Sequence, residues 1–575
     1  MRPLSVLQLV YLDNTGDSYY RMRWPGAQLA QQTGWSIVNL DARSQERLLL
    51  AENADLLVLY QSSDIDLVPL LNRRRSRGLK TLVEYNDNFY APAAWSPVVK
   101  EWSSPIVWQA YEEFMRLADA VIVTGPGLHA ALAERVPHQN FITLRNHLPT
   151  PPDPLKDQLP RKTKEVSVGW GGSFGHLADF LSALPSLWQT LEHYPATQLH
   201  LMGNEALIDL TCLIPNQERL KSQLRFTPWG SMQQYYSFLE PVHLGVVPLL
   251  ESEYNRCRSD IKAVEMAGLG VLPILPDALP YREFIKETGA PTYRSWSELG
   301  SIVESFLKSP EFILPAVARC HEYVASHRVG PKDNERRTVY QSFLAPAPNA
   351  PQDNRWIYTA GYHEIVGTPE VTTQSKSTLL SAQEHLTLGK DHEALACIQN
   401  SLSQNDAQAE LALAEIKILG KLKSPAFLEK IAQFRSRFPL DLRGDLFAAR
   451  VVESAVFQRS VWPLLIDRLT NQSRIFCDFY QHGVLDAFRP HATLVPEFLP
   501  RLVRLYPDAL RLRFEYAESL RRKGELLAAY EQFHRVAQGI ALLEANGAPV
   551  ADLDGPYVRM WEAALDPAGV VEIRK

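Results

Sequence analysis

The stretch Asn255-Arg-Cys-Arg-Ser-Asp-Ile-Lys-Ala-Val-Glu-Met-Ala-Gly-Leu-Gly-Val-Leu-Pro-Ile274 organises the reading of the whole chain. Ser259 reads as an N-cap, residues 260–267 as a short helix closed by Gly268 and Gly270, and residues 271–275 as an apolar strand. A helix start leaves backbone N–H groups unpaired and carries partial positive charge, so it favours an anion. Arg256, Arg258 and Lys262 crowd that same end, where cations are unfavourable for the helix itself. A phosphate would neutralise them, with each charge-assisted hydrogen bond contributing roughly 1.5–3 kcal/mol. Glu265, deeper in the helix, is then placed to accept from hydroxyls of the same ligand. The competing reading is a solvated surface helix whose charges are incidental.

Upstream lies Val166-Ser-Val-Gly-Trp-Gly-Gly-Ser-Phe-Gly-His-Leu-Ala-Asp-Phe180, which reads as a strand, a glycine-rich turn and a helix start. Gly171 and Gly172, with Ser173 beside them, allow a ligand to approach the backbone closely. The helix start that carries His176 and Asp179 suits a diphosphate. Between the two stretches, Val246-Val-Pro-Leu-Leu250 reads as another strand end.

Taken together, Gly169-Trp-Gly-Gly-Ser-Phe-Gly-His-Leu-Ala-Asp179, Leu201-Met-Gly203, Leu244-Gly-Val-Val-Pro-Leu249 and the 258–265 segment with Gly268, Gly270 and Pro273 resemble the nucleotide-sugar half of GT-B glycosyltransferases. The likeness is to bacterial retaining enzymes of family 4 and spans roughly residues 1–345. It implies an α/β protein with two Rossmann-like domains, which the tail described below extends by an all-α domain. It implies a donor diphosphate against Gly171, Gly172, Ser173, Arg256, Arg258, Ser259, Asp260 and Lys262. Glu265 would hold the ribose, and Trp229, in Phe226-Thr-Pro-Trp-Gly230, would stack on the base. Catalytic candidates are His176, Asp87, Arg258 and Lys262. The loop from Asp13 to Pro25 resembles the acceptor side, with Asp13, Gly16, Arg21 and Arg23 as contacts. The reaction implied is retaining and metal-independent, with no cofactor besides the nucleotide-sugar substrate. Cys257 stands where many family-4 enzymes carry a glutamate, and the glycine-rich turn lacks their arginine and lysine.

The totals limit the alternatives. A chain of 575 residues is long enough for about three domains. Hydrophobic content of 46% and charged content of 22% are ordinary globular values, and a net charge of −6 gives no bulk attraction to nucleic acid. Five cysteines lie scattered without metal-like or disulfide-framework spacing, which points to a reducing compartment and no metal site. The apolar run at 4–12 reads as a first strand rather than a signal peptide. No apolar run reaches the ~18 residues of a membrane span. A cytoplasmic protein is expected.

Residues 1–150 alternate strand-like and helix-like pieces, with strands expected at 5–12, 35–40, 55–60, 80–85, 120–123 and 141–144. The proline-rich 149–154 and the charged run after it read as a linker. A second Rossmann-like half follows at 160–310, with strands expected at 166–170, 198–202, 224–227, 244–247 and 271–275. By resemblance, 311–345 crosses back to the first half. A second linker occupies 346–374. Residues 375–575 are helical throughout. There Ala382, Gly389, Ala394 and Ile398 repeat the spacing of Ala517, Gly524, Ala529 and Phe533. That pattern resembles tetratricopeptide repeats, whose small residues let paired helices pack closely; a non-repeat helical domain is the alternative. The tail reads as a module for a protein partner or self-association.

The leading expectation is therefore transfer of a sugar from a nucleoside-diphosphate donor to a glycan, lipid-linked glycan or protein. A GT-B nucleotide-sugar epimerase and a non-catalytic GT-B/helical-repeat scaffold are the other two readings.

Overall fold

The computed structural model describes residues 4–11, 16–44, 46–94, 96, 98–138, 140–162, 165–205, 207, 221–330, 335–344, 357–358, 368, 371–405, 407–545, 553 and 555–566. The chain divides into two compact units, Val6–Pro348 and a second comprising Asn349–Lys575 with Met1–Ser5.

The first unit is an α/β structure with two parallel sheets. The strands of the first are β1 (Ser5–Val10), β2 (Ser36–Asp41), β3 (Leu56–Tyr60), β4 (Lys80–Tyr85), β5 (Ala120–Val123) and β6 (Phe141–Thr143), in the order β2-β1-β3-β4-β5-β6. The strands of the second are β7 (Ser167–Gly171), β8 (Gln198–Gly203), β9 (Leu224–Pro228), β10 (Leu244–Val246), β11 (Leu272–Pro276) and β12 (Thr292–Tyr293), in the order β12-β11-β10-β7-β8-β9. Each expected strand is present within one or two residues of its place in the sequence. Apolar β-branched and leucine-rich runs such as Leu56–Tyr60 are buried along their whole length, as strands covered on both faces must be. Among these twelve strands the one unread in the sequence is β12, which is only two residues long.

The second sheet reverses its strand order between β7 and β10, which pair directly through Leu244 with Val168 and Gly245 with Gly169. Ligands of doubly wound sheets bind outside the carboxyl ends of the strands at such a reversal. The glycine-rich turn follows β7, and the helix Ile261–Gly268 follows the β10 loop. That helix is capped by Asp260 rather than by Ser259, and Asp260 makes no side-chain capping bond. Its carboxylate is drawn instead to Arg328, which donates to both oxygens at 2.5 and 2.7 Å. Gly270, at φ +68°, makes the left-handed turn into β11.

The proline-rich segment near 150 is less of a free linker than its composition implies. It contains a helical turn, Leu155–Gln158, whose buried Gln158 donates to the Gly268 carbonyl at 2.9 Å. Lys162 donates to the carbonyls of Val242 and Leu269.

After β12 the chain returns to the first sheet. The helix Ile313–His327 packs on Ile261–Gly268 and β11. Arg328 then donates to the Asn146 carbonyl, and Leu148 pairs with Val329 in a short parallel bridge. Beyond residues 331–334, which lie outside the described residues, the helix Glu335–Phe343 lies on the first half. Its Arg336 donates to both oxygens of Glu84, and Tyr340 accepts from Gln8. Arg21 donates to the same Glu84 at 2.5 Å. Glu84 is fully buried. Burial by itself would raise its pKa, but Arg21 and Arg336 outweigh that and hold it below the ordinary carboxylate value. Two Rossmann-like halves facing a cleft, with a C-terminal helix returning to the first, constitute the GT-B organisation.

The described residues of the second unit are almost wholly helical. Helix Thr373–Thr387 pairs with Asp391–Gln404, and Leu510–Arg522 with Leu526–Ala545. Gly389 and Gly524, at φ +70° and +79°, turn the chain between the partners. Ala382, Ala394, Ala517 and Ala529 are buried where the helices meet, beside Ile398 and Phe533. Between these pairs, Trp462 is buried in the helix Ala455–Thr470 and donates to Gln458. The linker expected at 346–374 lies mostly outside the described residues. No helix among the described residues is long and apolar enough to cross a membrane.

Replacing Glu84 by alanine would leave two buried guanidinium groups without a counter-charge. Glu84→Ala is expected to cost ~3–5 kcal/mol of stability in the first unit, read from urea unfolding. A loss within the ~0.5 kcal/mol typical of surface substitutions would show that the triad does not hold the returning helix.

Candidate functional site

A cavity of about 220 Å³ lies at the carboxyl ends of both sheets, between the halves of the first unit. Gly171, Gly172 and Ser173 line it from the turn after β7. Arg258, Ser259, Lys262 and Glu265 line it from the β10 loop and the following helix. Gly16, Arg21 and Asp87 come from the first half, and His176 and Trp229 complete the set foreseen in the sequence. The need for glycine is steric: a Cβ on Gly172 would stand 2.6 Å from the Trp170 ring and 3.1 Å from Lys262 Nζ.

Lys262 donates to the Gly171 carbonyl at 2.6 Å, with its ammonium 5.5 Å from the centre of the Trp170 ring. Burial brings its pKa down to about 8, against the opposing pull of Glu265. Arg258 donates to Asp87 at 2.7 Å and lies over Tyr254. Burial opposes its charge, but Asp87, Tyr254 and Asp17 together raise its pKa. The buried Arg258 Nε has no hydrogen-bond partner among the described residues, which leaves a donor for a ligand. Glu265 is buried and accepts from Tyr20 at 2.8 Å. Burial pushes its pKa up to about 7, with the Tyr20 bond and Lys262 resisting.

His176 closes a short 3₁₀ turn, Phe174–His176. Its Nδ1 is 3.1 Å from Asp179 Oδ2. The other oxygen of Asp179 accepts from Leu250 N at 2.9 Å and Asn255 Nδ2 at 3.0 Å. Burial, then Lys262 and Arg258, lowers the His176 pKa to about 3 despite Asp179, so the imidazole is neutral near pH 7. With the Asp179 side chain accepting, Nδ1 carries the proton and Nε2 is left as an acceptor.

Several expected contacts are arranged differently. Arg256 is exposed and lines another pocket, because it ends the short helix Glu253–Arg256 on the opposite side of the loop from Arg258. Asp260 has both oxygens engaged by Arg328 and does not line the cavity. Arg21 reaches the cavity but is buried, with Nε on Glu84 and Nη1 on Asn146 and the Leu144 carbonyl, while its Nη2 has no hydrogen-bond partner among the described residues. Arg23 does not line the cavity. Asp13 lies outside the described residues. Trp229 is 49% exposed, open for stacking rather than packed in the core. Cys257 is buried and accepts a weak bond from Asn88. Burial pushes its thiol up to about 11, so it supplies no negative charge in place of a glutamate.

The structure adds residues that motif reading did not single out. Asn146 donates to Ser259 Oγ at 3.1 Å and joins the halves at the cavity edge. Asp17, solvent-exposed within the cleft, has a pKa raised to about 6 by the surrounding protein and by Asp87. Tyr20, Asn86, Met232, Tyr235 and Tyr281 also line the cavity. Asp17 and Tyr20 belong to the loop read as the acceptor side; Met232, Tyr235 and Tyr281 carry no local signal.

No protein-family model matches the chain, and no curated protein matches it. Solved structures similar to parts of it include sucrose-phosphate synthase from Thermosynechococcus elongatus, at 15% identity over 60% of this chain and 100% of that one, with a TM-score of 0.44. Anabaena HepE in complex with UDP and glucose is similar at 11% identity over 59% and 100%, with a TM-score of 0.42. TarM is similar at 10% identity over 52% of this chain, with a TM-score of 0.39; this chain spans 56% of the length of TarM. The strand orders of the two sheets and the returning helix define the fold.

The Lys262 pKa has a direct consequence. Its ammonium is present below about pH 8 and lost above it, whereas a bound diphosphate favours the charged form. UDP affinity is therefore expected to fall as pH rises through about 8, with proton uptake on binding near that pH. Calorimetry in buffers of different ionisation enthalpy reads both effects. Lys262→Arg, always charged, is expected to remove the pH dependence in this window; if it keeps the parent profile, Lys262 does not face the phosphates.

Proposed function

We propose that this chain is a glycosyltransferase that takes a sugar from a nucleoside-diphosphate donor. The observation that carries the reading is the cavity at the β7/β10 reversal. It combines close-approach glycines, two cations with donor capacity toward a ligand, and a buried carboxylate one helical turn from Lys262. The donor diphosphate would lie against Gly171, Gly172, Ser173, Ser259 and the start of the helix Ile261–Gly268. Lys262 and Arg258 would meet the charge that builds on the leaving diphosphate as the anomeric C–O bond breaks, which lowers the barrier if those contacts strengthen in the transition state. Glu265 would accept from the ribose, and Trp229 would stack on the base. Neutral His176, fixed by Asp179, would accept through Nε2 from a donor-sugar hydroxyl. Asp87 shares Arg258 across the cleft and would couple acceptor and donor sides.

The acceptor hydroxyl would form the new glycosidic bond while its proton passes to the leaving phosphate or solvent. Retention of anomeric configuration and independence from metal are part of this proposal. The helical unit is proposed, as a tetratricopeptide-like module, to engage a macromolecular acceptor, a protein partner or a second copy. A cytoplasmic setting suits a nucleotide-sugar substrate. Cys257, uncharged at a position where many resembling enzymes carry an acid, favours one second reading: a scaffold that binds a nucleotide sugar without turning it over.

A panel of UDP- and GDP-sugars, scored by thermal stability and donor hydrolysis, tests the proposal. A donor at about 100 times its dissociation constant adds about 2.7 kcal/mol of stability. Slow hydrolysis is expected with that donor; binding without hydrolysis or transfer would support the scaffold instead. Arg258→Glu and Lys262→Glu are each expected to weaken UDP or GDP binding by at least about tenfold with the fold intact. Glu265→Gln is expected to weaken several nucleotide sugars alike, because the ribose is common to them. An effect confined to one sugar would place Glu265 on the hexose.

A further inference from the structure

The 250–258 loop has two faces. Arg258 lines the cavity described above, and Arg256 lines a second pocket of about 570 Å³ at the carboxyl ends of β10, β11 and β12. That volume is in the range of small-ligand sites. The second pocket presents Arg256, Arg282 and Arg294 with Glu251, Asp277 and Trp296. Trp296 is partly exposed and lies 5.7 Å from the buried Tyr293 ring. Asp277 is 3.1 Å from Arg294 and 4.0 Å from Arg282. Arg256 has no ion pair among the described residues and is exposed. The seam between the halves runs alongside: a Cβ on Gly127 would collide with the Arg256 carbonyl and stand 3.2 Å from Leu279.

We propose that this second pocket binds an acidic saccharide, with a sugar carboxylate on the arginines and an apolar sugar face on Trp296. Three guanidinium groups against two carboxylates leave one positive charge uncompensated, which matches a single carboxylate better than a multiply charged phosphate. Guanidinium forks recognise carboxylates in a two-point geometry. Glu251 and Asp277 supply acceptors for hydroxyls and disfavour additional negative charge. Asn255 joins the two sites: it lines this pocket and donates to Asp179, whose other oxygen holds His176. An occupant would sit one loop away from the donor cavity, as the extended part of an acceptor glycan would. That last step alone rests on the glycosyltransferase reading; binding in the pocket does not.

The test uses the full chain without nucleotide, titrated calorimetrically with cellobiouronate, which carries one carboxylate, with cellobiose and with inorganic phosphate. Cellobiouronate is expected to bind, and both controls to bind much more weakly. An Arg256→Ala/Arg282→Ala double variant is expected to lose at least about tenfold in cellobiouronate affinity. Trp296→Ala is expected to weaken it as well, while the thermal unfolding midpoint stays at the parent value in both variants and reports an intact fold. Absent binding of cellobiouronate, equal binding of cellobiose or phosphate, or parent-like affinity in the arginine variant would each overturn the proposal. Because UDP is titrated separately on the parent, failure of the donor reading leaves the pocket assignment standing, and the reverse also holds.

Discussion

The candidate site depends on the ion pair between Asp260 and Arg328. Arg328 leaves the end of the helix Ile313–His327, holds both oxygens of Asp260 and donates to the Asn146 carbonyl. One side chain thereby fixes the start of the Lys262–Glu265 helix, the strand end that carries Asn146, and the point where the chain crosses between halves. A buried pair of this kind is no more stabilising than a well-packed apolar replacement, but losing one partner costs ~3–5 kcal/mol. Its value here is positional. Without it, Asp260 would face an unpaired burial at the helix start, next to the cavity that the cations line.

The electrostatics of the cavity follow from that placement. Lys262, Arg258, Glu265 and His176 are crowded together and desolvated, so burial is the first cause of the shifts of Lys262, Glu265 and His176, whereas in Arg258 it is outweighed by Asp87, Tyr254 and Asp17. Lys262 comes down to about 8 and Glu265 rises to about 7, so both groups titrate close to neutral pH. A ligand diphosphate would keep the lysine charged above about pH 8. Arg258 remains charged because Asp87, on the other half, compensates it. Charge on one half is thus completed by the other, and the cleft needs both halves in register.

That register is kept by a second buried carboxylate. Glu84 is shared by Arg21, on the helical loop that lines the cavity, and by Arg336, on the returning helix. The same arginine that resembles an acceptor contact is therefore a structural cation. Removing its charge would disturb the loop that presents Asp17 and Tyr20 to the cleft.

Much of this was legible in the sequence because it is local. Strand runs such as 56–60 and 120–123, the turn at Gly171 and Gly172, the left-handed Gly270, and the matched glycines at 389 and 524 each follow from steric or periodic rules acting over a few residues. Those rules place Lys262 and Glu265 on one helix and His176 at the start of another. They do not say which side of a loop an arginine faces. Arg256 and Arg258 are two positions apart and indistinguishable by composition, yet a single helical turn sends them to different pockets. Nor does local pattern reveal that Asp260 is claimed by Arg328 or Arg21 by Glu84, because those partners are distant in the chain and meet only when the crossing helix docks. The sequence by itself determined the two nucleotide-fold halves, the helical tail and the composition of the site. Which charges remain free for a ligand was decided by tertiary structure, since burial and pairing, not residue type, set the availability of a charge.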